Sequence, residues 1–437
     1  MVDPIKGGAD PRGVRSHPPS LSTSGFCPLS NAPPSAPGIG SLLRHQPFLV
    51  FFAGRSLSRF AAQIATVANG WLIYDLTGSA FYLGLAGLIQ FLPTALLVFV
   101  AGHAADRYDR KRVMQACQIG EGLTAAVLTW GSLGGWLTVP MIFVALLAFG
   151  TATAFESPAA AALLPAAAPG GRVQQATSVF TGGAQVATII GPALGGIAYA
   201  LSPGAPYAAM AALWLVASLL VGAMRLDHVV EAREPPSVGA LFEGVRFVRD
   251  NPTILGTISL DLFAVLLGGA TALLPIYARD ILHTGPWGLG VLRGAPAVGA
   301  LAMTLVLARH TIRRRVGMRM FQAVIAFGVA TVVFALSRSL WLSLIGLAAM
   351  GAADTVSVVI RLSLVQLATP DAMRGRVGAV NFLFINASNQ LGEFESGMVA
   401  ALIGAVPSAV LGGLGTIAIA LLWMRLFPAL RHVEELE

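Results

Sequence analysis

Arg55, Arg59, Glu121, Glu156, Asp261, Arg293, Asp354, Arg361, Glu393 and Glu395 stand inside long apolar runs of the chain. A charged group at the centre of a bilayer costs about 2.5–3.5 kcal/mol on insertion scales. Such groups are expected to face partners or a wet cavity. The chemistry open to them is proton exchange. Burial favours the neutral form of a carboxyl, and an adjacent guanidinium favours the charged form. A conformational change that alters which effect prevails takes up or releases a proton. Glu121, Glu156, Asp261 and Asp354 are the candidate acids, with Glu156 and Asp261 foremost. Glu393 and Glu395 are read as packing, or as lining an outer cavity. The competing reading for each acid is a static ion pair that holds helices together.

Arg55, Arg59, Gln63, Thr66 and Gly70 recur at steps of four, four, three and four. That spacing puts them on one helix face, expected to line a central cavity together with Arg293. Arg55 and Arg59, one turn apart, would repel each other unless acids lie near. Asp354, Ser357 and Arg361 share a second face. Other chemistry is missing from the sequence. There is no Gly-rich nucleotide loop, and the seven His lack metal-ligand spacing. Ser and His form no hydrolase signature. Cys27 and Cys117 make no disulfide framework. No enzyme activity, cofactor, metal or nucleic acid is expected.

The elements that hold these residues follow from composition. Hydrophobic residues make up 55% of the 437 and charged residues 11%, against about 25% charged in soluble proteins. That leaves too little charge to cover a water-facing surface of this size. From Phe48 onward the chain divides into twelve apolar runs: 48–75, 81–105, 112–133, 139–163, 173–200, 206–226, 253–281, 286–309, 316–337, 340–362, 376–402 and 404–427. Each suits a membrane-spanning helix of about 20 residues. The expected fold class is an all-α membrane protein with twelve transmembrane helices in two six-helix bundles.

With the N-terminus in the cytoplasm, 23 of the 28 Lys and Arg, counting Arg361 at the inner end of its run, fall on the cytoplasmic side. Only Arg279 and Arg338 fall opposite, a strong positive-inside bias. Both termini are therefore expected in the cytoplasm. Residues 1–44, rich in Pro, Ser and Gly, read as a disordered tail. Two bundles are expected at 45–226 and 253–430, with a short tail at 431–437. The linker 227–252 carries Leu241, Val245 and Val248 at helical spacing beside Arg246 and Arg249. It reads either as an amphipathic helix on the membrane surface or as a solvated connection.

The halves repeat. A shift of 203 places Gln90 on Arg293, Pro93 on Pro296 and Arg110-Lys111-Arg112 on Arg313-Arg314-Arg315. A shift of 204 places Gly171-Arg172-Val173 on Gly375-Arg376-Val377. This indicates a duplicated six-helix unit, so the two bundles are expected to be pseudo-symmetric. Such duplication is typical of secondary transporters with a site between the halves near the midplane.

Between the second and third runs stands Gly102-His103-Ala104-Ala105-Asp106-Arg107-Tyr108-Asp109-Arg110-Lys111-Arg112. It resembles motif A of the major facilitator superfamily, with Ala104 where Leu is usual and Asp109 where Gly is usual. Gly102 is expected to let two helices approach closely. The resemblance implies that Asp106 helps latch the halves by contact with span eleven. The alternative is a cluster that only sets topology. Gly191-Pro192-Ala193-Leu194-Gly195-Gly196 resembles motif C of family exporters; ordinary small-residue packing is the alternative. A closer resemblance, to the enterobactin-exporter-like subgroup (transmembrane secretion effectors), rests on Trp71–Ser79, Arg374-Gly375-Arg376-Val377 and Leu391–Gly397. It implies proton-coupled efflux of siderophores, drugs or related amphipathic molecules.

The expectation is a monomeric, multi-pass secondary transporter of the cell inner membrane, embedded in lipid and acting as a proton-coupled antiporter by alternating access. Cavity positions that mix Arg, Gln and Asn with Phe and Trp71 suit an amphipathic small-molecule substrate. An importer or facilitator of a small metabolite is the alternative within transport. A non-transporting receptor or an intramembrane enzyme is the alternative outside it.

Overall fold

In the computed structural model, residues 39–224, 238–310 and 314–435 are described, and no strand occurs among them. Twelve helices of 16 residues or more follow one another. In the first half they are α1 (Gln46–Thr77), α2 (Ala80–Arg107), α3 (Arg110–Gly134), α4 (Val139–Ala167), α5 (Val173–Leu201) and α6 (Ala205–Ala223). In the second half they are α7 (Pro252–Leu267, continued irregularly to Ile281), α8 (Gly285–Arg309), α9 (Val316–Leu336), α10 (Leu340–Ala368), α11 (Arg374–Ile403) and α12 (Ala405–Leu426).

Among the described residues, nine helices are long and apolar enough to cross a membrane. The other three are α1, α3 and α11. They carry Arg55, Arg59 and Gln63; Gln115, Gln118 and Glu121; and Asn386, Gln390 and Glu393. Gln118 and Glu121 are buried, Gln63 packs on α5, Gln115 on α6, and Gln390 and Glu393 on α2, contacts by which a bundle shelters polar groups from lipid.

Local signals set the breaks. Gly78 (φ 58°) caps α1 by donating its N–H to the Tyr74 carbonyl. The Asp109 carboxylate accepts from the Lys111 N–H at 3.0 Å and starts α3. The Asn251 side chain accepts from the N–H groups of Thr253 and Ile254 and starts α7. After Leu267 the chain leaves the α form at Gly268-Gly269, runs through a 3-10 turn at Ala270–Leu273, and ends in a π turn at Tyr277–Ile281. A side chain at Gly269 would collide with the Gly392 backbone, so this break lets α11 approach closely.

The two halves pack alike. In the first half α3 packs on α6, α2 on α4, α3 on α4, and α1 on both α5 and α6. In the second half α9 packs on α12, α8 on α10, α9 on α10, and α7 on both α11 and α12. Each pair of the first set recurs in the second with both helix numbers raised by six. This is the duplication read from the sequence, expressed as two pseudo-symmetric six-helix bundles.

Two helix pairs, α2 with α11 and α5 with α8, make the most extensive contacts between the bundles. At the end that bears the α1–α2 turn, backbones nearly touch. A Cβ on Gly84 would meet the Phe394 carbonyl at 2.9 Å, and one on Gly290 would meet the Pro192 carbonyl. At the opposite end, Gly102, Gly182, Gly375 and Gly378 would each point a Cβ into open space. The bundles are closed at one end and parted at the other. Gly102 therefore does not serve a close helix approach in this conformation, contrary to its expected role.

Within the second bundle, a Cβ on Gly351 would collide with the Pro296 carbonyl, and one on Gly299 with that of Ala348. Small residues let α8 and α10 meet backbone to backbone. Gly351→Ala is expected to cost about 1–3 kcal/mol through overpacking. The check is a lower unfolding temperature of the detergent-solubilised protein; an unchanged temperature would contradict it.

Three segments lie outside the spans. Ile39–Leu43, within the stretch expected to be disordered, forms a short helix with Leu42 buried beside Phe48 and Ala176; residues 1–38 lie outside the described residues. The linker helix Val238–Asp250 docks on the start of α11. Its Val248 is buried with Val377 and Val380, and Glu243 pairs with Arg376 at 2.6 Å. Val245 stays exposed, and the Leu241 side chain lies outside the described residues. At the C-terminus, the Val433 carbonyl accepts from the Gly317 N–H at 3.0 Å, which ties that tail to α9.

Candidate functional site

Three helices of the first bundle converge on one carboxyl. Glu156 of α4 is 4% exposed. Its Oε2 lies 2.7 Å from Nη1 of Arg55 on α1. Its Oε1 accepts from the Ser58 hydroxyl at 3.0 Å and from Nε2 of Gln118, on α3, at 2.9 Å. Ser58 lies three residues beyond Arg55, so one face of α1 delivers both donors. Glu121, one turn along α3 from Gln118, is also buried, and its Oε2 has no partner among the described residues.

The second bundle repeats the arrangement with the signs exchanged. In the first, the cation is on α1 and the acid on α4. In the second, Asp261 is on α7, and Arg361, on α10, pairs with it. Asp354, two turns before Arg361 on α10, lies 3.8 Å from the same guanidinium with its side chain half-exposed. These residues and Ser357 border a cavity of about 20 Å³, room for about one water molecule. The side-chain hydroxyl of Ser357 is buried without a partner among the described residues.

The remaining candidates lie outside these two ion pairs, although Arg293 and Glu393 are near enough to interact electrostatically. Gln63 packs against Gly191 of α5. Arg59 is exposed, and no ion pair forms on it among the described residues. The acid near the two arginines of α1 pairs directly with Arg55, and its charge reaches Arg59 only at longer range. Arg293 on α8 has a buried Nε without a partner among the described residues. Glu393 is half-buried where α11 meets Gly87 of α2.

The two sequence motifs take different places. In the Gly-Pro segment of α5, Gly191 and Gly195 fit against Gln63 and Ile64 of α1, whereas Gly196 fits against Pro286 and Trp287 of α8. Pro192 supplies the carbonyl that meets Gly290. The segment is thus a packing face toward both bundles. In the basic loop, Lys111 Nζ donates to the Met224 carbonyl at 2.7 Å, and Arg112 lies 3.6 Å from Asp109. Arg107 is exposed, Arg110 makes its own interactions, and the Asp106 side chain lies outside the described residues. At the start of α11, Arg374 pairs with Asp371 at 2.7 Å.

Sequence reasoning missed a polar clasp at the closed end. Asp75 of α1 pairs with Arg279 of α7 at 3.0 Å, and the Tyr74 hydroxyl donates to Asp280. The Arg279 guanidinium also lies 5.6 Å from the centre of the Tyr74 ring, within cation–π range. The π turn carries both Arg279 and Asp280. In the sequence Arg279 stands out only as one of two basic residues on the sparsely charged side. A clue was present: the 204-residue offset that aligns Gly171-Arg172-Val173 with its copy also aligns Asp75 with Arg279. Equivalent positions close to a two-fold axis meet.

Comparison with known proteins fits this architecture. The family description "Major Facilitator Superfamily" matches residues 51–393. The multidrug efflux pump Tap of Mycobacterium tuberculosis (strain ATCC 25618 / H37Rv) is 28% identical over 417 residues, covering 90% of this chain and 95% of that protein. The enterobactin exporter EntS of Citrobacter koseri (strain ATCC BAA-895 / CDC 4225-83 / SGSC4696) is 26% identical over 398 residues, with the same coverage of each. Among solved structures, the nucleoside transporter NupG (D323A mutant) superposes with a TM-score of 0.70 at 12% identity, covering 87% of this chain and 100% of that one. A bacterial homologue of the iron transporter ferroportin, in the inward-facing state, gives 0.67 at 18% identity, with coverage of 87% and 99%. A duplicated twelve-helix fold, buried ion networks between its helices and a family match across most of its length make this chain a multi-pass membrane transporter that belongs to the Major Facilitator Superfamily.

Proposed function

We propose that this transporter exports amphipathic small molecules by alternating access, driven by proton influx across a prokaryotic inner membrane, and that it acts as a monomer in lipid. The observation that carries the reading is the Glu156 network: a buried carboxyl bound by an arginine of α1. A proton arriving on Glu156 releases Arg55 from its charge partner and frees α1 to move relative to α4. Asp261, paired through Arg361, is the equivalent group of the second bundle. One charge crossing 100 mV supplies about 2.3 kcal/mol, comparable to one such rearrangement.

Orientation follows from the basic loops. They lie at the parted end, so the positive-inside rule places that opening in the cytoplasm and both termini with it. The conformation is then inward-facing, loaded from the cytoplasm and sealed outside by the clasp. The similarity to Tap and EntS supports export. The test is reconstitution of the full chain in proteoliposomes with an imposed pH gradient. Saturable movement of an amphipathic dye against its gradient, abolished by a protonophore, is expected. Flux indifferent to the pH gradient would refute proton coupling, and flux only in the opposite direction would favour an importer.

The clasp gives a separate expectation. Asp75→Asn combined with Asp280→Asn removes the ion pair and weakens the tyrosine contact. Both acids are partly exposed, so the effect on the closed-to-open ratio should be about three- to tenfold. Spin-label distances across the outer mouth should gain a longer component. An unchanged distribution would remove the clasp as a gate.

A further inference from the structure

We infer that the gap between the bundles takes amphiphiles bearing an acidic group, with Arg59 as their anchor; this rests on the transport reading above and names its substrate class. Arg55 and Arg361 each meet a buried acid. Arg59 is exposed and no acid lies within ion-pair distance of it among the described residues, the charge of Glu156 reaching it only from further off.

Its exposure is toward the space between the bundles. Arg59 and Gly70 are separated by eleven residues, about 20° past three full helical turns. Gly70 lies against Pro275 of α7, and Tyr74, one turn further, bonds Asp280. The face of α1 that carries Arg59 therefore touches the other bundle at the closed end and looks into the gap lower down. A guanidinium facing that gap is stabilised by water or by an anion.

The same face supplies an apolar seat. Phe52 precedes Arg59 by seven residues, two turns or about 10 Å along the axis. Its ring lies 6.1 Å from that of Phe48 and 5.4 Å from that of Phe180 on α5. A carboxylate, sulfonate or phenolate on Arg59 would leave an aromatic body at the level of these rings. The half-exposed acid of the other bundle, Asp354, does not dictate a cationic ligand, because Arg361 lies 3.8 Å from it.

The test uses three probes of one shape: 4-(1-pyrenyl)butanoate, its amide and 4-(1-pyrenyl)butylammonium. Binding to the detergent-solubilised full chain is followed by energy transfer from tryptophan to pyrene. The butanoate should bind about tenfold more tightly than the amide, as expected of one charge-assisted hydrogen bond. Arg59→Gln should bring that ratio to about one, and Arg59→Lys should keep most of it. The ratio is taken on protein that elutes as a single species, so a loss of folded material does not mimic the result. Equal or tighter binding of the amide or ammonium probe, no saturable binding of the butanoate, or an intact ratio in Arg59→Gln would overturn the inference. Proteoliposome flux reads the export proposal separately, so the two can fail independently.

Discussion

Glu156→Gln is expected to abolish proton-driven accumulation of substrate, a loss of about hundredfold or more, while sparing energy-independent exchange. The single amide oxygen of Gln can accept either from Arg55 or from Ser58 and Gln118, and its NH2 opposes the other donor, so the variant resembles the protonated, Arg55-releasing state of Glu156. What disappears is the group that binds and releases a proton. Flux driven by a pH gradient should fall to the level of empty liposomes. Counterflow, in which labelled substrate exchanges with unlabelled, should persist, because it needs only alternating access. If Glu156→Gln, Glu121→Gln, Asp261→Asn and Asp354→Asn all retained full coupling, the proposal that intramembrane acids carry the proton would be refuted.

Arg361→Leu is expected to have the largest effect on stability. Arg361 neutralises Asp261, which is 7% exposed, and lies beside Asp354. Removing one partner of a buried pair costs about 3–5 kcal/mol, because the remaining charge is left without compensation. The double variant Arg361→Leu with Asp261→Leu should recover much of that loss, since apolar replacement of a whole buried pair is often neutral. Thermal unfolding of the two solubilised proteins distinguishes these outcomes. A single variant as stable as the parent would mean that water or lipid headgroups already reach Asp261. Loss of transport in a stable double variant would then assign the pair to function rather than to packing.

The ion networks show how far sequence reading could go. Apolar length exposed Glu156, Asp261 and Asp354 as acids in costly surroundings, and helical spacing grouped Asp354 with Arg361. Spacing within a helix cannot tell which face of a distant helix comes opposite. The Arg55–Glu156 pair joins residues about a hundred positions apart, and no local pattern encodes it. The same holds for the clasp. Asp75 sits at a helix end where an acid is unremarkable, and its partner becomes visible only when the pseudo-two-fold axis is in place. Gly102 illustrates the converse. Its residue type permits a close approach, but whether a helix stands there depends on the conformation adopted.

By itself the sequence determined that the chain is a lipid-embedded, duplicated, all-helical protein. Hydrophobic run length, the sidedness of Arg and Lys, and the offset between its halves are one-dimensional properties, each tied directly to the bilayer or to gene duplication. Tertiary structure alone decided which ends are closed, which arginine holds which acid, and that Arg59 is left over. Those outcomes depend on helix rotation and on contacts between bundles, where a few ångströms separate a neutralised pair from a charge facing open space.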